Sequence, residues 1–142
     1  MALHGIIHHL AVFSLTAMAG NEVCVAAFVE PALRRLPDAQ QRPIAPLLAG
    51  SLGRAMPFWY AATLLLTLGD WWLSRTTGAA VAAGLQLLIL VGTLGFLVPI
   101  NNRIAAGAFH DGWLADARRW DRLHQGRVVL LLIAAAVLVF RG

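Results

Sequence analysis

Lysine is missing from this chain, and charge of either sign is scarce. Eleven arginines and seven acidic residues amount to 13% of the 142 residues, against about a quarter in a typical soluble domain. Cysteine occurs once, as Cys24, so an intrachain disulfide framework is excluded. No G-x-G-x-x-G run and no C-x-x-C-H run occurs, which removes the usual dinucleotide and c-type haem signatures. What fills the chain instead is apolar: 59% hydrophobic residues and a mean hydropathy of +0.71. That composition points to a bilayer protein rather than a soluble enzyme. The net charge of +4 is carried wholly by arginine, whose guanidinium keeps its proton in a low-dielectric setting. Because these arginines lie between apolar spans, we read them as setting membrane topology and touching lipid headgroups, with no nucleic acid as partner.

Four apolar stretches cover roughly residues 5–29, 55–74, 79–100 and 123–140. Each approaches the roughly 20 residues that a helix needs to cross a hydrocarbon core. The runs are Ala/Leu-rich and too long for tilted barrel strands. The expected fold is therefore all-α: one integral membrane four-helix bundle over 1–142, with room for a short interfacial helix in the Pro-rich first loop, Pro31 to Gly53. "AVFSLTAMAG" resembles the end of a secretory leader, but no basic leading region precedes it and the apolar run continues to Val29. The expectation is that it is retained as the first span. Arg34, Arg35, Arg42 and Arg54 belong to the first loop, and Arg103, Arg118, Arg119, Arg122 and Arg127 lie in or beside the third. Only Arg75 and Arg141 mark the opposite side, so the positive-inside rule places loops one and three in the cytoplasm and both termini outside.

Helical spacing sorts the polar residues of the spans into stripes. Met56, Tyr60, Thr63, Thr67 and Asp70 share one face of the second helix, Gln86, Thr93 and Ile100 one face of the third, and Trp120, His124 and Arg127 one face of the fourth. On the first helix, His4, His8, Leu15, Met18 and Glu22 fall within a narrow arc. Lipid cannot solvate such groups, so the stripes should face one another. Thr63, Thr67, Gln86 and Thr93 read as interhelical hydrogen-bonders. The small residues of "GAAVAAG" and the Gly92–Gly95 pair suit close packing.

Depth along the helices gathers Glu22, Tyr60, Asn101, Asn102, His124 and Arg127 into one layer near loops one and three. That layer is the candidate site. The plain alternative makes Glu22 and Arg127 a packing ion pair and His124 an interfacial histidine. Trp59, Tyr60 and Trp120 are candidate walls of a flat pocket, or members of an aromatic belt shared with Trp71, Trp72 and Trp113. At the opposite end, His4 and His8 stand one helical turn apart near Asp70, a spacing open to a metal pair and equally to a wet histidine cluster.

Four stretches, "FVEPALRRLP", "LGRAMPFWY", "VPINNRIA" and "WDRLHQGR", occur in the order and on the helices in which the anthrone oxygenase-like family of small four-helix membrane proteins has them. The resemblance spans essentially the whole chain, and Pro99, Asn101, Asn102, Trp120, His124 and Arg127 carry its most specific part. The H-x-x-R spacing here differs slightly from that of many members. The resemblance implies oxidation of a tricyclic anthrone to an anthraquinone by dioxygen, without flavin or haem. On that reading His124 is the base, Arg127 and Asn101 stabilise the oxyanion, and Glu22 orients His124 or pairs with Arg127. Trp59, Tyr60, Trp120 and Asn102 then bound the site of a small apolar aromatic substrate that enters from the lipid. Two rival readings stay open. One is an iron- or copper-dependent oxidase with Glu22 and His124, or His4, His8 and Asp70, as ligands. The other is a non-catalytic membrane scaffold. Self-association is left open as well.

Overall fold

The computed structural model describes residues 2–106 and 112–140, and Arg141 lies outside them. Among the described residues every regular element is helical. We label four rods. α1 joins the helix Ala2–Cys24, the wide π-helical turn Val25–Val29 and the last turn Glu30–Arg34. α2 is Asp38–Ser74; α3 joins Thr77–Gly92, a second π-helical turn Thr93–Leu97 and Val98–Ala105; α4 is Trp113–Val139. Among the described residues α1, α3 and α4 are each long and apolar enough to cross a membrane; α2, which holds the span expected over 55–74, is not among them.

The two π-helical turns have one cause. Pro31 and Pro99 lack an N–H, and their rings crowd the carbonyl four residues back. Widening the turn relieves the clash without ending the rod. The Glu30 N–H then bonds the Val25 carbonyl, and the Val98 N–H bonds that of Thr93, each five residues back. Both turns sit in the same local pattern, F-x-x-P-x-x-x-R, at Phe28–Pro31–Arg35 and Phe96–Pro99–Arg103.

The first loop differs from the expectation. Pro37 opens α2, and Pro43, Pro46 and Pro57 all lie inside it. The polar stretch expected as a loop with its own interfacial helix is the first part of a 37-residue rod, about 55 Å long at 1.5 Å per residue. Only Arg35–Pro37 separates α1 from α2. At the other end Arg75 takes the left-handed conformation (φ 55°) that closes α2, and its guanidinium lies 4.1 Å from the Trp72 ring centroid. Thr76 then caps α3 by accepting from the Ala79 N–H.

Each rod packs on two neighbours, in the cyclic order α1, α2, α3, α4. The bundle is apolar outside and polar inside. Phe13, Phe58, Leu65, Val91, Phe96 and Val129 are exposed, whereas Glu22, Glu30, Asp70, Gln86, His124 and Arg127 are buried. A water-soluble fold does the reverse, because exposed apolar surface is tolerated over such an area only against lipid or a partner. Ala79, Ala82 and Ala83 bring α3 close to its neighbours in the core. At mid-bundle, Ser14 and Thr63 bond at 2.7 Å, and Gln86 donates to Thr67 at 2.8 Å. Three of the four expected interhelical bonders thus hold helices together.

Candidate functional site

Arg127 is the meeting point of all four rods. From α4, its Nη2 donates to Glu22 Oε2 of α1 at 2.6 Å and its Nη1 to Thr93 Oγ1 of α3 at 3.4 Å. Its guanidinium carbon lies 5.2 Å from the Tyr60 ring centroid of α2, within reach of a cation–π attraction. Thr93 opens the π-helical turn of α3, so the proline-widened backbone and the ion pair share one level. The fourth expected helix-to-helix threonine therefore belongs to the site.

His124 lies one turn earlier on α4. Its Nδ1 is 3.0 Å from Glu22 Oε2 and 2.8 Å from Arg127 Nη2, which closes a triangle of three buried groups. Glu22, His124 and Arg127 are only 2%, 1% and 8% exposed. A proton on Nδ1 bonds it to Glu22, whereas a bare Nδ1 accepts from Arg127, so the tautomer sets which neighbour holds the ring. His124 Nε2 points the other way, 3.4 Å from Glu30 Oε1, and neither of those atoms has a hydrogen bond. Trp120 stacks on the imidazole at 4.8 Å with the planes 12° apart. The ring is therefore held by one carboxylate on each nitrogen side and an indole on one face.

Glu30 is the site residue that sequence reasoning missed. Its signal was a carboxylate directly before proline in an apolar run, but a helix ending at Pro31 would have left it outside the bundle. Because α1 runs through Pro31, Glu30 turns inward and links the site to the surface. Arg34 Nη2 reaches Glu30 Oε2 at 3.2 Å and Asp121 Oδ2 at 2.7 Å. At the same end, Arg103 grips Asp116 with two bonds of 2.8 and 3.0 Å, tying α3 to α4.

Beside the triangle lies a cavity of about 440 Å³ whose wall includes Glu22, Thr93, Asn101, Trp120, His124 and Arg127. A second, of about 690 Å³, is bounded by Glu30, Arg34, Ala45, Ala117, Trp120 and Asp121 among others. Asn101 borders both cavities, but its Nδ2 donates to the Ala49 carbonyl at 2.7 Å rather than to the triangle. A Cβ at Gly53 would overlap that amide, so glycine is needed there for Asn101 to reach α2.

Other candidates scatter. Trp59 Nε1 donates to Ser14 at 3.2 Å, away from the cavity, and Asn102 is exposed on the last turn of α3. Tyr60 is buried beneath Arg127 with its hydroxyl unpartnered. His4 Nε2 and His8 Nδ1 each lie 3.4 Å from Asp70, on opposite carboxylate oxygens. Among the described residues no group of three or more His, Cys, Asp and Glu side chains is arranged to hold a metal ion. In the Glu22–His124 pair, the guanidinium of Arg127 occupies the position a cation would take.

An apolar-surfaced helical bundle with a buried ion cluster beside a cavity defines a class, the membrane-compatible four-helix protein with an internal polar site. The family model for anthrone oxygenase matches residues 41–137, more than half of the chain. The chain belongs to that family. The match covers α4 and α3 with His124, Arg127 and Asn101, and leaves Glu22 and Glu30 on the unmatched α1. No curated protein and no solved structure matches the chain.

Proposed function

We propose that this protein is a membrane-embedded oxidoreductase that oxidises an apolar aromatic carbon acid of the anthrone type with dioxygen. The observation that carries the reading is the buried triangle of Glu22, His124 and Arg127 on the wall of a cavity of about 440 Å³. It unites a proton acceptor with a fixed positive charge in a water-poor setting, where charge–charge terms are strongest.

Anthrones are acidic at the methylene between their rings, because the carbanion delocalises onto the ring carbonyl. In the tautomer that donates Nδ1–H to Glu22, Nε2 is the base and takes the substrate proton through one water. The C–H bond breaks, an N–H bond forms, and the electron pair spreads to the oxygen that faces Arg127. The new imidazolium lies between Glu22 and Glu30, both of which stabilise it. The carbanion reduces dioxygen and combines with it to a peroxide anion, the imidazolium returns its proton to give the hydroperoxide, and that loses water. Overall CH₂ and O₂ become C=O and H₂O. An apolar substrate reaches such a cavity from the bilayer, which accounts for placing this chemistry in a membrane.

Replacing His124 by Ala tests the reading. Oxygen uptake with anthrone should fall at least about 100-fold, the usual contribution of a positioned base, while helical content is retained. Unchanged uptake would remove His124 as the base.

The excess of arginine at the site's end further supports a cytoplasmic location for that end. In a Cys24→Ala background, Asp38→Cys should resist a membrane-impermeant maleimide in intact cells. Ready labelling would reverse the orientation.

A further inference from the structure

The two cavities are not independent. Val25, Leu52, Asn101 and Trp120 border both, so a neck of four side chains separates the chamber with the triangle from the larger chamber toward the loops. The inner chamber is mostly apolar and carries the reacting groups. The outer one carries Glu30, whose Oε2 meets Arg34 and whose Oε1 lies 3.4 Å from His124 Nε2 without a hydrogen bond. Leaving such an atom unpaired costs free energy that a ligand donor would recover. The outer chamber also holds two carboxylates, Glu30 and Asp121, against the single guanidinium of Arg34. That balance disfavours an anionic group, and entry from lipid disfavours a cationic one, which leaves a neutral donor.

We propose that the two chambers form one substrate site, and that the substrate is a fused-ring compound bearing a neutral, hydroxyl-terminated side arm. The ring occupies the inner chamber, the arm passes the neck between Asn101 and Trp120, and its hydroxyl donates to Glu30. This rests on the reading of the inner chamber as the site of oxidation and adds the substrate class. Ala45 and Ala117 are small residues on the outer wall, so the room for the arm depends on them.

The full chain in lipid nanodiscs under nitrogen, where binding proceeds without turnover, gives the test. Quenching of tryptophan fluorescence reports dissociation constants for anthrone, for anthrone with a propyl group on an outer ring, and for the matching 3-hydroxypropyl compound. Lipid tails are as apolar as the chamber, so the propyl group alone should add little. The hydroxypropyl compound should bind about tenfold more tightly than the propyl one, as expected for one hydrogen bond to a charged acceptor. Glu30→Leu should abolish that gain. Ala117→Phe or Ala45→Phe should abolish it too, with anthrone itself within twofold of the wild type. Equal affinity of the two arms for the wild-type protein overturns the proposal, as does a gain that survives both phenylalanine variants. Anthrone that binds but is not oxidised once oxygen is admitted overturns the oxidation reading and leaves the arm's gain readable. Failure of all three compounds to bind overturns both.

Discussion

Each end of this bundle buries a carboxylate against histidine, and the two ends come out differently. Near the chain's start, Asp70 is fully buried, but its partners His4 and His8 keep 42% and 25% of their side-chain surface. At the other end Glu22 is 2% exposed, and its partners His124 and Arg127 are almost as deeply enclosed. Water can solvate the first pairing from the histidine side, so little depends on its geometry. The second must satisfy its charges internally, which it does by pairing carboxylate with guanidinium and adding a threonine and an aromatic face. It also borders a cavity and leaves polar atoms of Glu30, Tyr60, His124 and Arg127 without partners. Enclosure with vacancies, rather than the presence of a His–carboxylate pair, separates a site from a stabilising contact.

Substitutions at the two ends should sharpen that contrast. Arg127→Leu strips Glu22 of its buried counter-charge and should cost about 3–5 kcal/mol, read as a lowered thermal midpoint in detergent; a midpoint near the wild type would show the triangle to be water-filled. Gly53→Ala should displace the Asn101 amide from the Ala49 carbonyl, at about 1–3 kcal/mol, and weaken ligand binding by altering the neck. Retained stability and affinity there would mean that Asn101 has another seat. At the opposite end Asp70→Asn keeps a polar group of the same size beside His4 and His8 and should lower the thermal midpoint less than Arg127→Leu does; an equal loss would put the two ends on the same footing. The smallest effect belongs to Arg75→Gly. Relief of the left-handed backbone, about 1–2 kcal/mol, opposes loss of the guanidinium–Trp72 contact, about 0.5–1 kcal/mol. Denaturant midpoints should therefore nearly coincide, with the glycine variant no less stable.

Much of the candidate site was legible before any coordinates. Glu22, His124, Tyr60 and Arg127 announce themselves because a polar group on an apolar helix has to turn inward, and the 3.6-residue period says which face it is on; Thr93 reads only as a packing hydrogen-bonder. Trp59 and Asn102 show where that logic stops. Each borders the predicted stripe by sequence, yet a single residue's rotation of about 100° sends Trp59 to Ser14 and leaves Asn102 at the surface. Periodicity fixes the angle within a helix and says nothing about the angle between helices. Glu30 was hidden for another reason. Proline is an ordinary helix terminator, and only neighbouring rods can hold a helix together through it.

The amino-acid pattern alone determined that the chain is helical, lipid-facing on its outside and charged within, because burying an unpaired polar group in hydrocarbon is too costly for any other arrangement. Tertiary packing decided that α1, α2 and α3 run on through their prolines, that Glu30 joins His124, and that Arg127 touches all four rods. Those outcomes depend on how whole helices lean on one another, a sum of many contacts distant in sequence that no local stretch encodes.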